Sequence, residues 1–151
     1  MFKRENAWKW VTAALLAYGF FGCTPAEATG RDDSWVAYRA YAKTVAVRHG
    51  LPEGLVAAIC QVESSWRPYV VGSAGEIGLC QMKPGTLRMF TQDSAENLFD
   101  PFFALDYAGR YLAWLSKTLG TRDSDVLAAA YNQGPYSSAV VYMMKVRRGW
   151  N

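Results

Sequence analysis

The chain reads as an all-α domain interrupted by one irregular insert, and three observations predict this. Apolar residues recur at three- and four-residue spacing in successive segments. Residues that start and stop helices punctuate those segments. The one long stretch without a helical period, Tyr69 to Pro84, is broken by Gly72, Gly75 and Gly78 and reads as a loop or short hairpin. With 151 residues, 51% of them hydrophobic and 19% charged, a single folded domain is expected rather than a disordered chain. A net charge of +3 and the lack of a basic cluster argue against nucleic acid as a partner. The aromatic share of 15% suits a core first and a carbohydrate groove second.

The N-terminus is set apart. Lys3, Arg4 and Lys9 flank an apolar run from Trp10 to Phe21 that is too short for a permanent membrane anchor. Pro25-Ala26-Glu27-Ala28 then offers small residues where a signal peptidase reads. Residues 1–28 are therefore expected to be a secretory signal peptide cleaved after Ala28, and residues 29–151 the folded domain, periplasmic or secreted. Cys23, after Phe21-Gly22, admits a lipoprotein as the second reading, with the bulky phenylalanines counting against it. Cleavage after Ala28 leaves Cys60 and Cys80 in an oxidising compartment, a disulfide candidate whose alternative is two buried thiols.

In the expected domain, Asp33 or Ser34 caps a first helix that runs from Trp35 to His49 and stops at Gly50. Val36, Ala40, the Lys43 stem and Val47 form its apolar stripe. His49, the only histidine, has an ordinary place as a cation near a helix C-terminus. Leu51-Pro52-Glu53 opens the next helix, with Pro52 in its first turn. Its buried stripe is Leu55, Ile59, Val62 and Trp66; an adjacent stripe of Val56, Cys60, Glu63 and Arg67 puts Glu63 at the edge of the buried face. Pro68 ends it. After the insert, Gly85-Thr86 begins a brief helix through Phe90. Asp100 caps and Pro101 opens a long helix with the stripe Leu105, Ala108, Leu112, Leu115 and Leu119, ending at Gly120. Asp123 or Ser124 caps another through Tyr131, Gly134-Pro135 breaks it, and a last helix begins at Tyr136 or Ser137 and runs to Arg147.

Glu63 is the residue with chemistry. Cleaving a glycosidic bond needs an acid that keeps its proton near neutral pH, so its pKa must rise above about 4.3. Partial burial achieves this by penalising the ionised form, and Trp66, three residues on, could cover the carboxyl. The alternative is a surface glutamate paired with Arg67 at the four-residue spacing. Periodicity leaves the two readings level. The remaining acids, Glu76, Asp93, Glu96 and Asp100, have no evident partner's position; Asp100 reads as a cap and Glu76 as a loop charge. Phosphate-loop, zinc-ligand and Ser-His-Asp patterns are missing, so no metal or cofactor is expected.

Three segments then fall into a known order. Glu63-Ser64 is followed by Gly78-Leu79-Cys80-Gln81 with Pro84 three residues later, and by Ala130-Tyr131-Asn132-Gln133-Gly134. With Asn97-Leu98-Phe99-Asp100-Pro101 and Tyr111-Leu112 between them, the region from Leu51 to Tyr142 resembles the soluble lytic transglycosylases. These are lysozyme-like enzymes that cut bacterial peptidoglycan. The resemblance implies a lysozyme-like helical fold with Glu63 as the single general acid and then base. Ser64, Gln81, Tyr131 and Asn132 would serve substrate binding, with Ser64 also steadying the helix end or the glutamate. It implies cleavage between N-acetylmuramic acid and N-acetylglucosamine. The substrate's N-acetyl group and C6 hydroxyl complete the reaction, leaving a 1,6-anhydro sugar. A hydrolytic lysozyme of the same fold and a non-catalytic wall-binding module are the rival readings. The expected partner is the peptidoglycan glycan strand, with the domain a monomer. So bare a domain also resembles enzymes that serve secretion, conjugation or pilus assemblies, or phage. Two positions depart from the family pattern: Cys80 and Lys83 stand where methionines are usual. A Cys60–Cys80 bridge would fasten the Gln81 loop to the Glu63 helix, and Lys83 would offer a cation to peptide-stem carboxylates.

Overall fold

A computed structural model of the chain describes residues 33–149. The expected signal peptide and Cys23 lie outside these residues. The described part is helical: α1 (Ser34–Arg48), α2 (Leu55–Ser64), α3 (Pro84–Leu87), a 3₁₀ helix (Ala95–Phe99), α4 (Pro101–Leu119), α5 (Ser124–Gln133) and α6 (Ser138–Gly149). Among the described residues the only β pairing is a pair of isolated antiparallel bridges, Val71 with Ile77 and Ile77 with Met82. The expected hairpin-like insert is thus a tight double turn between α2 and α3.

Local chemistry accounts for most boundaries. The Asp100 carboxylate accepts from the Phe103 N–H at 2.8 Å while Pro101 opens α4, and Gly120 closes it in the left-handed region at φ 63°. Asp123 accepts from the Asp125 and Val126 N–H groups at 3.0 and 3.1 Å and so starts α5. Ser94 caps the 3₁₀ helix through the Glu96 N–H. The central element is α4. It packs against α1, α2, α5 and the 3₁₀ helix, and the apolar stripe Leu105, Ala108, Leu112 and Leu115 lies buried along it.

Two helices present a different face from the one their periodicity suggests. In α1 the buried residues are Ala42, Val45 and Ala46, with Tyr38 and Tyr41 packed beside them, whereas Val36 and Val47 are exposed. The reason is close approach to α4. A Cβ on Gly109 would run into the Val45 side chain, so the glycine makes the room that lets Val45 pack against α4. Burial, with Arg48 nearby, pushes the His49 imidazole below its ordinary value, which disfavours the cation expected there.

Helix α2 starts at Leu55, after Gly54 in a left-handed conformation at φ 84°, and Pro52 sits in the preceding turn rather than in the first helical turn. It ends at Ser64 because Ser65 and Trp66 both adopt positive φ, 53° and 64°, before Pro68 is reached. The buried arc runs from Leu55 and Ile59 through Val56 to Cys60 and Ser64. Glu63 follows Val56 by seven residues, about two turns, and so projects along the middle of that arc. Val62 follows Leu55 at the arc's margin and is 83% exposed, contrary to its expected place in the core.

Candidate active site

Helix α2 delivers Glu63 to the point where the core gives way to an open cleft of about 430 Å³. The insert supplies the facing wall. Its turns are closed by Gly72 N–H to the Glu76 carbonyl at 2.7 Å and by the reciprocal pair between Ile77 and Met82 at 3.0 and 3.1 Å. Gly78 adopts φ 78°, and any Cβ there would meet the Leu98 carbonyl, so only glycine lets the insert lie against the 3₁₀ helix.

Three ties converge on Leu79 and Cys80, just before Gln81. The Ser64 hydroxyl donates to the Leu79 carbonyl at 2.6 Å. The Tyr131 hydroxyl donates to the Cys80 carbonyl at 2.8 Å. Cys80 is disulfide-bonded to Cys60 of α2. The bridge favoured in the sequence reading therefore forms, and it holds the insert to the Glu63 helix.

Glu63, Gln81, Tyr131 and Asn132 all line the cleft; Ser64 does not. Ser64 is buried, and its hydroxyl also accepts from the Arg67 N–H at 3.0 Å. Its position is inside the joint between helix and insert rather than in the wall of the cleft. The Tyr131 hydroxyl is likewise committed to the insert backbone, while its ring faces the cleft, 5.4 Å from the Tyr111 ring. The Gln81 amide donates to the Val70 and Gly78 carbonyls at 3.1 and 2.9 Å, which leaves its carbonyl oxygen beside Gly72 as the available acceptor.

Trp66 is not the cover for Glu63. The two left-handed residues turn it to another groove, lined also by Trp35, Arg39 and Gln61. Nor does Arg67 pair with Glu63; its guanidinium donates to the Ser64 carbonyl at 2.8 Å. Burial pushes the Glu63 carboxyl above the usual carboxylate range. The Asn132 side chain pulls the other way, and the negative charge of Glu76 adds an upward push.

Glu76 is the functional candidate that sequence reasoning passed over. It lines the same cleft, its carboxylate accepting from the Ala74 N–H at 3.1 Å and lying 3.6 Å from the Lys83 ammonium. Its own backbone N–H, the Ala74 N–H and Lys83 hold it below the usual range. Its place in the glycine-rich turn just before Gly78 and Gln81 was the available signal. Lys83 is thus paired with Glu76 rather than standing alone at the groove. Among the described residues no group of three or more acidic, histidine or cysteine side chains is arranged to hold a metal ion.

The sequence and fold of this domain have known counterparts. Residues 32–141 match the family described as Transglycosylase SLT domain, and the chain belongs to that family. A membrane-bound lytic murein transglycosylase C of Haemophilus influenzae (strain PittEE) is 34% identical over 107 residues, which cover 61% of this chain and 30% of that protein. The soluble lytic murein transglycosylase of Escherichia coli (strain K12) is 33% identical over 92 residues, covering 56% of this chain and 14% of that protein. The lytic transglycosylase Slt of Pseudomonas aeruginosa, solved as an inactive glutamate-to-glutamine mutant, superposes with a TM-score of 0.59 at 27% identity. That match covers 66% of this chain and 17% of the larger one. The chain therefore spans less than a third of the length of these relatives.

Proposed function

We propose that this domain is a peptidoglycan lytic transglycosylase that cuts the β-1,4 bond between N-acetylmuramic acid and N-acetylglucosamine, with Glu63 as its single general acid and base. The observation that carries this reading is the Glu63 carboxyl, which lines a polar cleft and whose pKa burial raises above the usual carboxylate range. Family membership and the names of the relatives support it.

In the proposed reaction Glu63 gives its proton to the bridging oxygen as the bond from the muramic C1 breaks. The substrate's N-acetyl group steadies the cationic centre. The muramic C6 hydroxyl then attacks C1 and returns its proton to Glu63, so no water is consumed and a 1,6-anhydro end forms. The Gln81 carbonyl oxygen accepts from a sugar hydroxyl or amide, and Asn132 positions Glu63 and the substrate. Tyr131 contributes its ring surface and, with Ser64, holds the insert in place. We further propose that residues 1–28 direct export, that the domain acts as a monomer on glycan strands, and that it serves a secretion, conjugation or pilus assembly.

The test is mass spectrometry of peptidoglycan digested by the protein and by Glu63→Gln. Wild type should release fragments one water lighter than hydrolysis products. Glu63→Gln should lose about 10²-fold activity or more while still binding peptidoglycan. Reducing-end products from the wild type would make the domain a hydrolytic lysozyme. An inactive wild type that binds as well as Glu63→Gln would make it a wall-binding module.

A further inference from the structure

The proposed reaction builds positive charge at the muramic C1, and the structure places a second carboxylate in the cleft where that happens. We propose that Glu76 is an electrostatic partner of Glu63: an anchored anion, facing the same bound sugar, that stabilises the cationic centre while exchanging no proton itself. This inference rests on the reading of the site given above and departs from its single-carboxylate form.

The geometry is that of a charge set in place before the reaction. The Gly72–Glu76 turn closes on itself, Gly72 N–H to the Glu76 carbonyl at 2.7 Å and Gly75 N–H to the Gly72 carbonyl at 3.1 Å, which fixes the Glu76 backbone. The side chain then bends back so that its carboxylate accepts from the Ala74 N–H at 3.1 Å. A Cβ on Gly72 would run into this carboxylate and into the Gln81 carbonyl oxygen, so the glycine leaves room for both in the cleft. Fixed charges aimed at developing charge act without reorganising during the reaction. Lys83 does not cancel the anion, because at 3.6 Å, with 58% of its side chain exposed, it forms a loose and solvent-screened pair.

The two carboxyl groups are also driven apart in acidity, Glu63 upward by burial and Glu76 downward by backbone N–H groups. Environments that separate two acids in this way divide their labour between proton donor and standing anion. The other charged or titratable groups lining the cleft are Lys83, Tyr111 and Tyr131. Burial raises both phenols, so neither ionises in the range where Glu63 does.

Glu76→Gln is the informative variant, because the amide keeps the size of the side chain and an oxygen for the Ala74 N–H. A role confined to shaping the turn would therefore survive it. On purified glycan strands we expect kcat to fall about tenfold or more with KM within about twofold, since the lost interaction is made mainly in the transition state. The alkaline limb of the pH–rate profile should move to lower pH, because Glu63 loses a like-charged neighbour. Wild-type kcat with an unmoved limb overturns the inference, as does a loss matched by a lower melting temperature. Should Glu76→Gln fail to fold, Glu76→Asp decides: withdrawing the charge by one carbon should lower kcat about threefold or more at constant KM, and an unchanged kcat rejects the idea. The outcomes also separate the two proposals. A wild type that cleaves nothing removes both, whereas an active wild type with inactive Glu63→Gln and fully active Glu76→Gln removes only this one.

Discussion

Glu63 shows how one residue's setting decides its chemistry. On a helix wheel it is an ordinary acid four residues before an arginine, yet Arg67 goes to the Ser64 carbonyl and the carboxyl is left to the cleft. Burial raises its pKa, and Asn132 opposes that rise. Replacing Asn132 by leucine removes the opposing interaction and keeps the bulk that excludes water, so the Glu63 pKa should climb further. A group that must be protonated to act loses activity as pH rises through its pKa. The alkaline limb for Asn132→Leu should therefore lie at higher pH than in wild type, measured by turbidity loss of peptidoglycan across pH 4–9; a limb moved to lower pH would contradict this assignment. The shift has the opposite sign from that expected for Glu76→Gln, so the two variants together read the electrostatics of one carboxyl from both sides.

At the level of elements, the site depends on how α2, the insert and α5 are held together. The Cys60–Cys80 bond, the Ser64 hydroxyl and the Tyr131 hydroxyl all end on Leu79 or Cys80. Gln81, next in the chain, takes φ 46° under this constraint. Closing a loop between cysteines 20 residues apart stabilises the domain by about 3 kcal/mol in the chain-entropy account. Leaving the buried Cys80 carbonyl without the phenol costs about 1–3 kcal/mol. Because both ties act on the same residue, the Cys60→Ala/Cys80→Ala pair and Tyr131→Phe should not add. A urea-unfolding cycle over the four proteins should show a coupling of about 0.5 kcal/mol or more; strict additivity would mean that the ties act independently.

Across the whole described domain, α1, α2, the insert, α3, the 3₁₀ helix, α4, α5 and α6 contribute to a single buried cluster, and no buried side-chain polar atom among the described residues lacks a partner. No described helix is long and apolar enough to cross a membrane. The bridged cysteines fit the proposed route through an oxidising compartment. Intact-mass analysis of the exported protein should give a chain beginning at Thr29 and two hydrogens lighter than the reduced form. A mass retaining Cys23 with attached lipid would replace cleavage after Ala28 by the lipoprotein reading.

The limits of α4 and α5 were legible in the residues because their causes are local, whereas both ends of α2 fell inside the expected bounds. Asp100 with Pro101, Gly120, Asp123 and Gly134 act within a turn of their own positions, and the order Glu63, Gln81, Tyr131, Asn132 needs only the chain itself. The sides on which those helices are buried were decided elsewhere. Gly109 lets α4 approach Val45, so Ala42, Val45 and Ala46 rather than Val36 and Val47 form the core of α1. Two left-handed residues after Ser64 carry Trp66 away from Glu63. The folded insert turns what reads as a loop charge, Glu76, into a neighbour of the proposed acid. Such placements arise from contacts between segments distant in sequence, which no local period or cap encodes.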